Sequence, residues 1–203
     1  MQGIRGWVFD LDGTLTVAQH DFPAIRRELG IPAESDILTY IAGLPEPARS
    51  ELSQRLDAIE HRLAEAVQPA LGAAQLIRHL HGRGDRLAIL TRNLRSVAVS
   101  SLRTLGVADC FDDHDVLGRD EALPKPDPEG ILRVLKRWQL SQAEVVMVGD
   151  FRFDLEAGRA AGCRTCLIHP VNHWPELADW HMRDCLALHG ELGRCAAPDY
   201  STY

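Results

Sequence analysis

Two aspartates one residue apart, Asp10 and Asp12, follow directly on the apolar run Trp7-Val8-Phe9 and precede Gly13. The apolar run is typical of a buried strand. A buried carboxylate needs a partner or a metal, so both aspartates should lie beyond the strand's carboxyl end, where α/β sheets bind ligands. Gly13 permits a turn that brings backbone N–H groups to an anion. The group suits a divalent cation and a phosphate, although Asp and Gly are also common in ordinary turns.

Three further motifs place polar groups after apolar runs or in a loop. Thr91 follows Ile89-Leu90, and Lys125 stands between two prolines. Asp150 follows Val146-Met147-Val148-Gly149, and Asp154 lies four residues further on. Each has an ordinary alternative: a strand threonine, a solvated surface lysine, or an aspartate that caps a helix.

In this order the four motifs resemble those of the haloacid dehalogenase (HAD) superfamily, which consists mostly of magnesium-dependent phosphatases that work through an aspartyl-phosphate. The resemblance spans about residues 4 to 168 and looks closest to phosphoglycolate phosphatase-like proteins with a type 1 helical cap. One motif would be weak, but four in the right order are strong. The fold implied is α/β: a Rossmann-like HAD core with a parallel sheet and a small helical cap inserted after the first strand.

The resemblance also implies roles for individual residues. Asp10 corresponds to the nucleophile, Asp12 to the general acid/base, and Lys125 to the cation that offsets charge between nucleophile and phosphate. The expected cofactor is Mg²⁺, held by Asp10, the backbone carbonyl of Asp12, Asp150 and, directly or through water, Asp154.

Phosphate binding is assigned by the same resemblance to Gly13, Thr91, Lys125 and the residues after Thr91. The family often has asparagine directly after this threonine, whereas Arg92 comes first here and Asn93 second. Either Arg92 or Asn93 is expected to contact phosphate. For Arg92 the two alternatives are phosphate binding and an orientation towards solvent.

Hydrophobic periodicity predicts how these residues are positioned. Residues 17–70 contain helical stretches and no convincing strand, whereas strands and helices alternate from about Gly72. Alternation of this kind is typical of parallel βαβ units. We therefore predict a core of residues 1–16 and 71–203 and a helical cap of residues 17–70, with Ser35 capping one of its helices.

The cap is expected to set substrate specificity, because the resemblance implies that it closes over the site. Gly43-Leu44-Pro45 resembles the cap loop that reaches the leaving group. Specificity is therefore assigned to Tyr40, Gly43 and Leu44, with Arg26 and Arg49 as further candidates for reading a carboxylate or hydroxyl.

Composition limits the other possibilities. The chain has 203 residues, of which 45% are hydrophobic, enough for one good core and a small inserted subdomain. Its formal net charge of −7 makes nucleic acid an unexpected partner. No apolar run approaches a membrane span, and a signal-peptide pattern is lacking, so a cytoplasmic monomer or dimer without membrane association is expected.

The five cysteines are expected to be free thiols: Cys110, Cys163, Cys166, Cys185 and Cys195. The C-x-x-C pair Cys163–Cys166 enters an apolar run and is interpreted as part of a strand, with a zinc or redox site as the alternative. Residues 170–180 are predicted to form a loop, residues 185–188 a strand or the start of a helix, and the residues after Gly193 a loose tail.

The function favoured by these observations is hydrolysis of a small phosphomonoester, a phosphorylated metabolite, by a magnesium-dependent phosphatase. A sugar phosphomutase of the β-phosphoglucomutase type would share Asp10 and Asp12. The alternative outside enzymology is a regulatory protein that binds a phosphorylated metabolite on this scaffold.

Overall fold

The computed structural model describes residues 1–19 and 21–196, and the side chains through Arg194. Six strands and eight α-helices occur in these residues. The strands are β1 (Gly6–Phe9), β2 (Arg86–Leu90), β3 (Val116–Leu117), β4 (Val145–Gly149), β5 (Arg164–Ile168) and β6 (Trp180–Met182). The helices are α1 (Phe22–Leu29), α2 (Ile37–Ala42), α3 (Ala48–Ala64), α4 (Ala73–Gly82), α5 (Arg95–Thr104), α6 (Glu129–Trp138), α7 (Arg152–Ala160) and α8 (Cys185–Ala196).

The strands form one sheet in the order β3-β2-β1-β4-β5-β6, and every neighbouring pair is parallel. The predicted α/β class with a parallel sheet is confirmed. Strand β1 lies in the middle, with β2 on one side and β4 on the other. The chain therefore winds outward in both directions from β1, and the carboxyl end of β1 is the switch point at which such sheets bind ligands.

Alternation along β1 divides the core between the two faces of the sheet. Trp7 and Phe9 pack in a cluster with residues of α4, α5 and α8, whereas Val8 packs in a cluster with residues of α6 and α7. Successive side chains of a strand point to opposite faces, so a strand covered on both faces is apolar throughout. This burial fixes the position of β1, and with it the start of the loop that begins at Asp10.

A neighbouring pair of residues on α6 provides a test of this packing. Ile131 is fully buried against the sheet, whereas Leu132 is 43% exposed. We expect Ile131→Ala to lower the free energy of unfolding by about 2–5 kcal/mol, because it removes buried methyl groups and leaves a cavity. Leu132→Ala should change it by about 0.5 kcal/mol or less. Urea denaturation of both variants measures the difference, and equal losses would contradict the assigned burial.

Residues 17–70 form helices α1, α2 and α3, which have an apolar cluster of their own. Its buried members are Ile25, Leu29, Ile31, Ile37, Ile41, Leu56 and Ile59. Where this insert begins and ends, Thr16 and Pro69 form an antiparallel bridge, and the N–H of Val17 donates to the carbonyl of Gln68 at 2.9 Å. The predicted boundaries between core and cap stay a prediction, which this packing supports.

Asp36, rather than the predicted Ser35, is the N-cap of α2. Its carboxylate accepts the N–H of Thr39 at 3.0 Å. Serine and aspartate are both favoured at the N-cap, so residue type alone does not decide between Ser35 and the adjacent Asp36.

The C-terminal part differs from the prediction in two ways and resolves one alternative that the sequence left open. Trp180, predicted to end a loop, begins the short strand β6, which pairs with β5. Cys185 begins α8, which settles the choice between strand and helix, and this helix continues through Ala196 instead of ending at Gly193. The rest of the predicted tail, residues 197–203, lies outside the described residues.

The two cysteines of the C-x-x-C pair, Cys163 and Cys166, lie on opposite sides of the sheet. Cys166 is in β5, as predicted, and packs with the α4 side, whereas Cys163 precedes the strand and packs with the α6 side. Both thiols are free, and burial raises the pKa of Cys163 to about 11. The side chain of Cys195 lies outside the described residues. In the described part of the chain, no helix is long and apolar enough to cross a membrane.

Candidate active site

Three neighbouring strands end at the predicted site residues. Asp10 directly follows β1, Thr91 follows β2, and Asp150 follows β4. The N–H of Asp10 donates to the carbonyl of Val148 at 2.8 Å, which continues the pairing of β1 and β4 into the loop. Parallel strands present their carboxyl ends at one edge of the sheet, so the fold itself brings these residues together.

Lys125 reaches this edge from the loop before α6 and lies between two carboxylates. Its Nζ is 2.5 Å from Asp10 Oδ1 and 2.6 Å from Asp154 Oδ1, and the side chain is only 2% exposed. Burial acts to lower the pKa of Lys125, but the charges of Asp10 and Asp154 outweigh it and raise the pKa above its usual value. Lys125 is therefore a fixed cation beside Asp10.

Two glycines allow the acidic side chains to approach one another. Gly13 has φ +90°, and a Cβ there would lie 2.3 Å from Asp150 Oδ2. A Cβ at Gly149 would lie 2.3 Å from Asp154 Cγ. Side chains larger than hydrogen would therefore displace both aspartates, and the positive φ of Gly13 disfavours any other residue.

Asp154 serves the helix as well as the site. Its Oδ2 accepts the N–H of Phe151 at 3.0 Å at the start of α7, while its Oδ1 pairs with Lys125. Asp154 therefore accepts a hydrogen bond at the start of α7, as the helix-cap alternative predicted, and contacts Lys125 at the same time.

Asp10, Asp150 and Asp154 form an oxygen-donor set that fits a divalent cation. One ligand oxygen from each lies within 4.8 Å of the others. Burial raises the pKa of Asp150 to about 8, with the charges of Asp10 and Asp154 adding to the effect. Burial likewise raises the pKa of Asp154 to about 6, against the opposing charge of Lys125. Three carboxylates share one ammonium group, and a cation bound there would offset the excess negative charge.

Asp12 lies outside this donor set and is held from another side. Its Oδ2 accepts the side-chain N–H of Asn93 at 2.6 Å, and the N–H of Asn93 donates to Thr91 Oγ1 at 3.1 Å. Burial, followed by the negative charge of Asp10, raises the pKa of Asp12 to about 7. A carboxyl group that titrates near neutral pH can both donate and accept a proton.

Arg92 turns towards the helical insert. Its Nη2 lies 2.8 and 2.7 Å from the two carboxylate oxygens of Asp36, and its guanidinium lies 4.9 Å from the ring centroid of Phe153. In this arrangement Arg92 is paired with Asp36 and partly exposed, and Asn93 is the residue that contacts Asp12. The assignment of phosphate binding between Arg92 and Asn93 stays a prediction.

Arg119, which the sequence patterns did not single out, makes a second bridge between core and insert. It forms ion pairs with Asp57 and with Glu60, the latter at 2.6 Å, and Arg119 Nη1 also donates to the carbonyl of Arg92 at 3.2 Å. Both acidic partners lie on α3. The two bridges hold the insert over the loop that follows β2.

A cavity of about 410 Å³ lies between insert and core. Asp10, Asp12, Thr91, Arg92, Asn93, Lys125, Asp150 and Asp154 are among its lining residues. Arg26 also lines it, and its Nε donates to the carbonyl of Ser35 at 2.9 Å.

The three predicted specificity residues, Tyr40, Gly43 and Leu44, are not among those that line this cavity. Tyr40 packs against the insert's own apolar cluster, and Arg49 pairs with Glu46 at 2.7 Å on the surface. Their part in specificity stays a prediction. Phe151 and Phe153 do line the cavity, and their only sequence signal was their position directly beside Asp150 and Asp154.

Comparison with known proteins identifies the family of the chain. A family model described as haloacid dehalogenase-like hydrolase matches residues 4–162. An uncharacterized hydrolase of Saccharomyces cerevisiae is 30% identical, with 91% of this chain and 88% of the yeast protein covered. A phosphoglycolate phosphatase of Pectobacterium atrosepticum is 28% identical, with 81% and 80% covered.

A hydrolase from Pseudomonas syringae has the same fold, with a TM-score of 0.77 at 22% identity over 95% of this chain and 100% of that chain. The family model spans β1 to α7, and therefore every predicted catalytic and metal-binding residue from Asp10 to Asp154. The chain belongs to the haloacid dehalogenase-like hydrolase family and is an enzyme of the hydrolase class.

Proposed function

We propose that this hydrolase is a magnesium-dependent phosphatase that cleaves a small phosphomonoester through an aspartyl-phosphate at Asp10, by the chemistry of phosphoglycolate phosphatase-like proteins. The observation that carries the proposal is the contact of Asp10 with Lys125, at 2.5 Å, inside a set of three carboxylates that fits a cation. A carboxylate is ionised at neutral pH and needs no base to act as a nucleophile.

The first half of the proposed reaction transfers the phosphoryl group to the enzyme. An Asp10 oxygen forms a bond to phosphorus as the bond from phosphorus to the ester oxygen breaks. Asp12 gives its proton to the departing alkoxide, a role that its pKa of about 7 supports. Lys125 stabilises negative charge beside the transferring group, and Mg²⁺ bound by the carboxylates would supply further charge neutralisation there.

The second half releases phosphate. Asp12, now ionised, takes a proton from water as the water oxygen attacks phosphorus and the bond to Asp10 breaks. The contact from Asn93 at 2.6 Å keeps the Asp12 carboxyl oriented through both halves. Thr91 and the backbone at Gly13 are proposed to hold the phosphoryl oxygens.

Residues 17–70 are proposed to act as a cap that covers the site and selects the substrate, a small phosphorylated metabolite in the cytoplasm, by its leaving group. The two ion-pair bridges, Arg92 to Asp36 and Arg119 to Glu60, support this part of the proposal. Both join charged groups of the core to charged groups of the insert.

Metal removal tests the proposal. We expect a chelator to reduce phosphate release from a panel of phosphorylated metabolites to background, and added Mg²⁺ to restore it. Calcium should substitute poorly, because it takes more ligands in looser geometry. Full activity in chelator would contradict the mechanism.

The same assays distinguish the alternative functions. Conversion of β-glucose 1-phosphate to the 6-phosphate with little free phosphate would indicate a mutase. No turnover of any substrate would favour a binding protein.

Thermal unfolding gives a readout of the metal that does not depend on activity. A ligand at about 100 times its Kd adds about 2.7 kcal/mol to the free energy of unfolding, so Mg²⁺ should raise the Tm. Asp150→Asn should abolish this rise, whereas Asp120→Asn, a change at an exposed residue, should keep it. An unchanged rise in Asp150→Asn would contradict the proposed ligand set.

A further inference from the structure

The part of the cavity beyond the phosphate site has apolar walls. The insert contributes Phe22, Ile25, Ile37 and Leu38, and the core contributes Phe151 and Phe153. Phe151 packs edge-to-face against Phe153, with ring centroids 5.1 Å apart, and against Trp174 at 5.4 Å. Contacts with Phe153 and Trp174 therefore hold the Phe151 ring in place. Phe22 and Phe151 each remain about half exposed, at 52% and 50%, although both line the cavity.

The charged side chains on the same walls are largely paired and leave no excess of positive charge. Arg92 is matched by the two-oxygen contact with Asp36, and Glu60 is matched by Arg119. Arg26 and Glu34 add one charge of each sign. A leaving group with its own carboxylate would have to compete with Asp36 for Arg92, or with the carbonyl of Ser35 for Arg26, and would lie close to Glu34. This balance favours an uncharged leaving group, because an unpaired charge loses hydration in a partly buried cavity.

The volume of the cavity favours a leaving group that carries a ring. An apolar cavity of about 150 Å³ is large enough for benzene. The cavity here measures about 410 Å³, which includes the phosphate site. A two-carbon leaving group such as glycolate would leave most of the apolar wall in contact with water, whereas a ring would cover it.

We propose that the substrate is a phosphate monoester of an uncharged alcohol that carries a ring, and that the ring packs between Phe151 and Phe153 on the core and Ile37 and Leu38 on the insert. This inference rests on the proposed phosphatase function and names the substrate class of the same site. It assigns leaving-group selection to α1, α2 and the start of α7.

Three substrates with alkoxide leaving groups test the inference on the wild-type enzyme with Mg²⁺. Benzyl phosphate and ethyl phosphate differ by the ring, and phosphoglycolate and ethyl phosphate differ by a carboxylate on the same number of carbons. We expect kcat/KM for benzyl phosphate to exceed that for ethyl phosphate by about tenfold or more, since apolar pockets discriminate single methylenes by about 10- to 200-fold. Phosphoglycolate should be no better than ethyl phosphate.

A charge placed on the wall provides a second test. Leu38→Lys puts an ammonium group into the cavity from α2 and should raise the ratio of kcat/KM for phosphoglycolate over ethyl phosphate. Gln54→Lys adds the same charge on an exposed position of α3 that does not line the cavity, and it should leave the ratio unchanged. Equal ratios in the two variants would contradict the assigned wall.

The outcomes separate this inference from the function on which it rests. Phosphate release from none of the three substrates or the metabolite panel overturns the phosphatase function itself. Release with phosphoglycolate preferred tenfold over ethyl phosphate, or with benzyl phosphate no better than ethyl phosphate, overturns the substrate class and leaves the phosphatase function standing.

Discussion

Asp10→Asn is expected to lower phosphatase activity by about 10⁴-fold or more and to abolish the phosphoenzyme, because an amide nitrogen or oxygen cannot replace the ionised nucleophile. The change keeps the shape of the side chain. It also removes the negative partner at 2.5 Å from Lys125 and one of the three carboxylates of the donor set. Loss of the nucleophile and weakening of the cation site act in the same direction.

Mass spectrometry of the Asp10 peptide after rapid quench measures the phosphoenzyme directly. Asp120→Asn is the matched control, because it makes the same chemical change on an exposed residue and should retain both activity and phosphoenzyme. Urea denaturation of both variants shows whether the fold is kept. A burst of product from Asp10→Asn would mean that another group attacks phosphorus.

Asp12→Asn is expected to slow hydrolysis of an alkyl phosphate by about 10²- to 10⁴-fold, the usual contribution of general acid–base catalysis. This corresponds to about 3–5 kcal/mol of activation free energy. The nucleophile remains, and so does the backbone carbonyl at residue 12, so only the proton donor and acceptor is removed. The loss should therefore depend on whether the leaving group needs a proton.

A comparison of leaving groups isolates this role. Nitrophenolate departs without a proton, so transfer from p-nitrophenyl phosphate to Asp10 should be largely spared in Asp12→Asn. Hydrolysis of the intermediate still needs a base for water, and the phosphoenzyme should accumulate after a rapid burst. Wild-type turnover of either substrate by this variant would be incompatible with the role assigned to Asp12.

The positions of Asp10, Thr91 and Asp150 were predictable because each stands directly after a strand whose sequence pattern is strong. Asp10 and Asp150 follow runs that are apolar at every position. This is the pattern expected of a strand that is covered on both faces. Once these strands are neighbours in a parallel sheet, the approach of Asp10 to Asp150 follows from the geometry of the sheet. Lys125 was predictable only from the family pattern, since it lies in a loop.

The contacts between insert and core were not predictable in the same way. Arg92 and Asp36 are 56 residues apart, and their pairing depends on how α2 packs against the loop after β2. No periodicity encodes that arrangement. The prediction for Gly43 and Leu44 came from a resemblance to the family's cap loop, whereas the insert lines the cavity with residues of α1, α2, α3 and the connection between α1 and α2.

Strand β6 escaped prediction because its three residues are too few to show alternation. Its position depends on a contact distant in sequence. The carboxylate of Asp179, directly before the strand, accepts the N–H of Thr165 at 2.9 Å and pairs with Arg164 at 3.2 Å. A short edge strand of this kind is determined by tertiary contacts more than by its own composition.

The bridge between Thr16 and Pro69 means that residues 17–68 leave and rejoin the core at neighbouring points. The entropy of closing a flexible loop grows only with the logarithm of its length, so each doubling costs about 0.6 kcal/mol. For the core, this segment is thus equivalent to a short hairpin connection. Changes in the length of its helices therefore need not move Asp10, so the proposed selection of the leaving group can change separately from the proposed chemistry at Asp10.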